Sequence, residues 1–149
     1  ARNGFAACAY RHFAAMFATL VRDAGRSEIL FLLAHRNRDL LAGAIVAISG
    51  KRAFYLYGAS ANENRNLMGP YAVHWSAMRH ARMRGCSEYD MGAVSPVMDP
   101  DHPFFGLYRF KTGFGGRMIL RSGSWDYPLK EPEYLAFRNA ESLSRGHGI

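Results

Sequence analysis

The sequence predicts an α+β fold, a mixed and mostly antiparallel sheet flanked by helices. Two observations carry that expectation. Three strand-like runs follow one another between Glu28 and Gly58, joined by short polar or glycine-bearing turns, as antiparallel neighbours are. A long helical stretch, Arg65 to Arg84, then crosses over to a further short strand.

Taken in order, Phe5 to Ala24 reads as a helix, because Tyr10, Phe13, Phe17 and Leu20 share one apolar face and Gly25 closes it. Glu28 to His35 is a continuous apolar run, short enough for a buried strand. Arg36 to Asp39 makes a polar turn, and Leu40 to Ser49 is the second strand. Gly50-Lys51 forms a tight hairpin turn, since glycine accepts positive φ. Arg52 to Gly58 is the third strand. Regular alternation there places Ala53, Tyr55 and Tyr57 on one side, with Phe54, Leu56 and Gly58 on the other.

A polar loop, Ala59 to Asn64, opens the second helix, Arg65 to Arg84, with Leu67, Tyr71, Trp75 and Met78 as its expected buried stripe. Pro70 in its first turns does little harm, and Gly85 ends it. Ser87 to Met91 is the fourth strand. A loop with Pro96, Pro100 and Pro103 leads to a short helical turn, with Asp101 or His102 expected at its cap. Two more strands, Arg117 to Ser122 and Ser124 to Tyr127, precede a last helix, Pro132 to Leu143, and residues 144–149 read as a loose tail. The order matches the later part of an acetyltransferase-like (GNAT) fold whose first strand is absent, with residues 1–143 as a single domain.

At 149 residues the chain is long enough for one domain with a sizeable core. No apolar run approaches the roughly 20 residues that span a bilayer, and no signal-peptide pattern opens the chain. Cys8 and Cys86 lie far apart and read as reduced packing residues of a cytoplasmic protein. The net charge of +7 attracts phosphates, whether of nucleic acid or of anionic lipid, without choosing between them. The chain begins at Ala1 rather than Met and is expected to be a piece of something longer.

The stretch with the most chemistry is Gly106 to Gly116. An aromatic, basic turn containing Tyr108, Arg109, Phe110 and Lys111 runs into Gly113, Gly115 and Gly116, which stop a helix because glycine is costly in its interior. Lys111 is expected on a rigid element with its ammonium free to reach outward, at a helix-to-strand junction where an anion is met. The same basic residues also favour the helix dipole with no ligand involved. Asp90 ends the fourth strand, where it either serves as a base or amine contact or caps the following loop. Tyr55 and Tyr57 bond a substrate if their shared face is open, and are packing if it is the core face. The six histidines show no zinc spacing, and no metal site is expected.

In acetyltransferase-like folds a pyrophosphate sits on backbone amides at the start of the helix after the meander. Coenzyme-A-binding members carry an Arg/Gln-x-x-Gly-x-Gly/Ala loop there. The nearest match here, Asn66-Leu67-Met68-Gly69-Pro70-Tyr71, lacks the leading Arg or Gln and spends an amide on Pro70. That disfavours coenzyme A.

Several motifs now fall in one order: Phe54-Tyr-Leu-Tyr-Gly-Ala-Ser60, Glu63-Asn-Arg-Asn-Leu-Met68, Trp75, and Gly85-Cys-Ser-Glu-Tyr-Asp90 with Gly92. Asp99-Pro100, Tyr108-Arg-Phe-Lys-Thr-Gly-Phe-Gly-Gly116 and Trp125-Asp-Tyr-Pro-Leu129 follow. The set resembles the C-terminal acetyltransferase-like domain of the Fem family, the peptidoglycan-bridge aminoacyl transferases, over roughly residues 28 to 135. The resemblance implies an enzyme that moves an amino acid from aminoacyl-tRNA, a co-substrate in place of any cofactor, to the stem-peptide amine of a peptidoglycan precursor. That precursor is lipid II or its nucleotide-linked form, and peripheral contact with the inner membrane face goes with the former.

By the same resemblance Phe110 and Lys111 approach the end of the aminoacyl-tRNA, and Lys111 stabilises charge at the ester carbonyl. Tyr10, Arg11, Tyr55 and Tyr57 are candidates for the precursor, and Arg65, Asp90, Tyr108 and Arg109 complete the substrate-binding set. Members carry two such domains, so this chain alone is expected to be inactive. The alternatives are an acyl-CoA-dependent N-acyltransferase of the same fold and a non-catalytic module for RNA or anionic membranes.

Overall fold

The computed structural model describes residues 8–20, 27–95, 98–123 and 125–145. The elements are α1 (Tyr10–Leu20), β1 (Ser27–Arg36), β2 (Asp39–Ser49), β3 (Arg52–Ser60), a 3₁₀ turn (Arg65–Leu67), α2 (Gly69–Met83), β4 (Glu88–Asp90), α3 (Phe105–Thr112) and α4 (Glu131–Arg145). The chain forms two compact units, one ending at Phe114 and one beginning at Gly115.

In the first unit the strands lie in the order β1-β2-β3-β4. The first three are antiparallel and β4 runs parallel to β3, so the expected mixed sheet is present. Both hairpins close through two residues whose first member has positive φ, Asn37 at 54° and Gly50 at 57°. Asn and Gly are the residue types that tolerate this conformation.

α2 covers one face of the sheet. Ala42, Ala44, Val46 and Ile48 point to it from alternate positions of β2, with Ala53 beside them on β3. The facing side of α2 is Gly69, Val73, Ala77 and Ala81, a strict four-residue repeat of small side chains. The expected bulky stripe is corrected here, since Trp75 is 64% exposed and Tyr71 packs on Phe110 and Phe114 instead. Small residues win because the helix comes so close to the sheet: a Cβ on Gly69 would stand 2.7 Å from the Leu41 Cβ. The second helix also begins later than expected. Asn64 and Met68 take left-handed φ near 53° and 56° on either side of the 3₁₀ turn, and α2 starts only after Met68.

α1 packs on the other face. Phe17 meets Phe31 with ring centroids 6.2 Å apart, and Phe13 meets Tyr57 at 5.2 Å. Of the expected 5–24 helix, residues 8 and 9 are not helical, and residues 5–7 and 21–24, with Gly25, lie outside the described residues.

A bulge in β3 overturns the expectation that Tyr55 and Tyr57 share a face. Tyr57 pairs with Ile45 and Tyr55 with Val46, so Leu56 is the extra residue. Paired residues share a face, and Ile45 and Val46 are consecutive, so the two tyrosines point to opposite sides.

The second unit holds α4, stitched by local contacts. Lys130 pairs with Glu133 at 2.9 Å, Arg138 pairs with Glu141 at 2.6 Å, and the Tyr134 hydroxyl donates to Asp126 at 2.8 Å. α4 runs on to Arg145, beyond its expected end, and the rest of the expected tail, 146–149, lies outside the described residues. The expected strand Arg117 to Ser122 is not formed, nor is any strand over the described part of 124–127. Gly115 and Gly123 have φ of +74° and +91°, conformations that do not continue a strand. No ladder partner faces the run among the described residues, and Leu120 is 94% exposed.

Candidate active site

A cleft of about 1230 Å³ opens between β3, the loop before α2, the first turns of α2, and α3. Tyr55, Arg65, His74, Arg109, Phe110 and Lys111 all line it. A smaller cavity of about 470 Å³ lies between β1 and the start of α2, with mainly aliphatic walls and His35 and Arg36 at its edge. The larger cleft holds the chemistry.

Lys111 lies in the last turn of α3 and is 9% exposed, which corrects the expectation of an ammonium reaching freely outward. Its Nζ donates to the Ala93 carbonyl at 2.7 Å and stands 5.7 Å from the Tyr55 ring centroid. Burial pushes its pKa below the usual lysine value, and the nearby Asp90 carboxylate pulls it back up. The result is a fixed, partly desolvated cation at the cleft wall. Such a charge acts on a neighbouring carbonyl far more strongly than one in water.

Beneath it lies a polar aromatic layer. His74 is 3% exposed, and its ring centroid is 4.5 Å from that of Tyr55 and 5.4 Å from that of Phe110. Its Nδ1 and the Tyr89 hydroxyl are hydrogen-bonded at 2.9 Å, the tautomer deciding which donates. Burial first, and the Lys111 charge second, lower the His74 pKa to about 4, so the ring is neutral at physiological pH. Burial also raises both tyrosines, Tyr55 and Tyr89, keeping their hydroxyls protonated.

The sequence pattern of the FemAB family matches residues 27–142, most of the chain. The chain belongs to the FemAB family. The lipid II:glycine glycyltransferase of Staphylococcus saprophyticus is 36% identical over 105 residues, 70% of this chain and 25% of that protein. The protein of the same name from Staphylococcus aureus is 35% identical over 100 residues, 67% of this chain and 24% of that one. The chain thus spans about a quarter of the length of these curated relatives. Among solved structures, FemX superposes with a TM-score of 0.58 at 26% identity, over 85% of this chain and 29% of that one. A probable acetyltransferase, at 16% identity over 83% of this chain and 82% of its own, shares the fold with a TM-score of 0.52. The acetyltransferase-like fold expected from the sequence is therefore present.

Within this FemAB-family fold, Arg109, Phe110 and Lys111 come together at one cleft with Tyr55 and Arg65, which lie 44 to 56 positions earlier in the sequence. Asp90 is not a lining residue; its Oδ1 accepts the Gly92 N–H at 2.7 Å. Tyr108 is not a lining residue; it stacks on Phe105 at 6.4 Å. Tyr57 is on the α1 face, hydrogen-bonded to His12 Nε2 at 2.8 Å. Tyr10 and Arg11 stand exposed at the start of α1, outside the cleft lining. The expected cap of α3 is also modified. Phe104 holds the cap position, while His102 Nδ1 accepts the Phe104 N–H at 3.1 Å.

His74, considered in the sequence only for zinc spacing, lies under Lys111, a place that spacing did not reveal. The signal was available: Ala77 belongs to the small-residue repeat of α2, and His74 lies three residues before it, on the same side of the helix.

Proposed function

We propose that this chain supplies the donor-ester half of an aminoacyl transferase site, in a protein that builds the peptide bridge of peptidoglycan. The observation that carries the reading is the Lys111 ammonium, fixed by Ala93 at the wall of a cleft with Arg65 and Arg109 on its rim. The names of the similar staphylococcal proteins support a lipid-linked peptidoglycan precursor as acceptor. The net charge of +7 and the two rim arginines suit an RNA backbone, which supports aminoacyl-tRNA as donor. A lipid-linked acceptor places the protein at a membrane face. The contact proposed is peripheral; no described helix is long and apolar enough to cross a membrane.

The reaction needs no enzyme nucleophile, because the aminoacyl ester is already activated. The acceptor amine, deprotonated, attacks the ester carbonyl carbon; the new C–N bond forms and the C–O bond to the ribose breaks. The proton lost by the amine ends on the departing ribose oxygen. Negative charge gathers on the carbonyl oxygen in between, and the Lys111 ammonium stabilises it where burial makes the interaction strong. Phe110 forms the apolar wall beside it.

The test is transfer of a radiolabelled amino acid from charged tRNA to a precursor, using the full-length protein and its Lys111→Ala variant. The reading expects transfer by the parent and a loss of about 100-fold or more in the variant. Undiminished transfer by Lys111→Ala overturns the catalytic role. Turnover of acetyl-CoA without any transfer from tRNA overturns the donor.

A further inference from the structure

β4 ends at Asp90 and the chain turns at once. The Asp90 carboxylate accepts the Gly92 N–H at 2.7 Å, a side-chain bond to the backbone two residues on that folds a tight turn. Gly92 has φ of +73°, a conformation that glycine adopts without penalty. The turn brings two consecutive residues against the lysine. A Cβ on Gly92 would stand 3.6 Å from Lys111 Nζ, and the Ala93 carbonyl accepts from Nζ at 2.7 Å.

The groups that face Lys111 come from four directions. β4 contributes Asp90; β3 contributes the Tyr55 ring; α2 contributes His74, neutral and buried; and the 91–93 turn contributes the Ala93 carbonyl. On its own helix Arg109 is an exposed second cation. Asp90 is the anion of this set. Its charge raises the lysine pKa against the burial that lowers it.

We infer that Asp90 is a positioning residue for Lys111: its side chain folds the turn that presents the Ala93 carbonyl to the ammonium, and its carboxylate is the anion set against that cation. The sequence left Asp90 divided between a substrate contact and a loop cap. The geometry joins the cap to the lysine, and the carboxylate then acts through Lys111 without meeting the substrate. The consequence for activity rests on the transfer reading above; the consequence for the lysine does not.

Two variants of the full-length protein separate the two tasks. Asp90→Asn keeps an oxygen that accepts the Gly92 N–H and removes the charge. Asp90→Ala removes both. The lysine is read directly by NMR of ε-¹³C-labelled lysine, its resonance identified by its loss in Lys111→Arg. Asp90→Asn is expected to lower the Lys111 titration midpoint. The alkaline limb of the transfer rate against pH is expected to move down by the same amount. Asp90→Ala is expected to reduce transfer further at every pH, because the Ala93 carbonyl is no longer held.

An unmoved Lys111 midpoint in Asp90→Asn overturns the inference, whatever happens to activity and whether or not Asp90→Ala folds. A moved midpoint in a protein that transfers nothing supports the inference and overturns the transfer reading. Transfer by the parent with neither midpoint nor limb moved in Asp90→Asn overturns the inference and leaves the transfer reading standing.

Discussion

The Tyr55 hydroxyl occupies the space that a Cβ on Gly58 would take, and the ring carbon Cζ would stand 2.8 Å from it. The bulge at Leu56 makes this contact possible. It turns Tyr55 toward α2 and brings Gly58, paired with Ala44, onto the same face. Tyr55 thus lies along the sheet between the core and the cleft, with Lys111 over its ring.

Gly58→Ala should therefore push the Tyr55 ring off His74, at a cost of about 1–2 kcal/mol for overpacking. The same change made in a Tyr55→Ala background should cost little, because the clash has gone. Urea midpoints of the four proteins in this cycle give the coupling. An equal cost in both backgrounds would refute the contact.

Lys111→Met should separate stability from function. The native lysine is desolvated, and a methionine fills similar volume without a buried charge. Relief of the desolvated charge opposes the loss of the Ala93 carbonyl's donor. The variant is therefore expected to melt within a few degrees of the parent, while transfer falls about 100-fold or more. A large drop in melting temperature would mean that the lysine is structural.

His74 predicts an acid-side loss of stability. Its pKa is about 6.5 when unfolded and about 4 when folded, so between these values the unfolded chain binds the extra proton. Stability from this group is full above pH 6.5 and falls as pH drops toward 4, by an amount on the order of 3 kcal/mol. His74→Gln retains a partner for the Tyr89 hydroxyl and does not titrate. Urea midpoints measured from pH 7 to pH 4 should fall more steeply for the parent than for this variant. Parallel curves would show that His74 is not held neutral.

The meander and its turns were legible because hairpins leave local marks: apolar runs, Asn37 and Gly50. Lys111 and Phe110 were legible because a basic aromatic turn next to three glycines is unusual. The faces were harder. One inserted residue, Leu56, reverses every side chain after it, and nothing in the Phe54–Ser60 composition announces a bulge. The buried stripe of α2 was misread because size was taken as the mark of burial, whereas this helix lies close to the sheet and buries its small residues. The run after Gly116 has strand-like composition, but a strand exists only by pairing.

Two glycines on helices make the closeness of α2 to the sheet measurable. Glycine to alanine in a helix gains up to about 1 kcal/mol where the new methyl meets open space. Gly106, in α3, has nothing within 4 Å of its missing Cβ, and Gly106→Ala should raise stability. Gly69, at the start of α2, would place its Cβ 2.7 Å from the Leu41 Cβ and 3.3 Å from the Ala42 Cβ. Neither is the end of a flexible side chain, so the strands and α2 must separate or the methyl must be squeezed. Gly69→Ala should therefore lose about 1–3 kcal/mol despite its better helix propensity. Leu41 is itself buried in the strand, so no rotamer change relieves the clash. Thermal melts of the two variants decide the matter. Gains in both would show that α2 stands farther from β2 than described, and the small-residue repeat would lose its explanation.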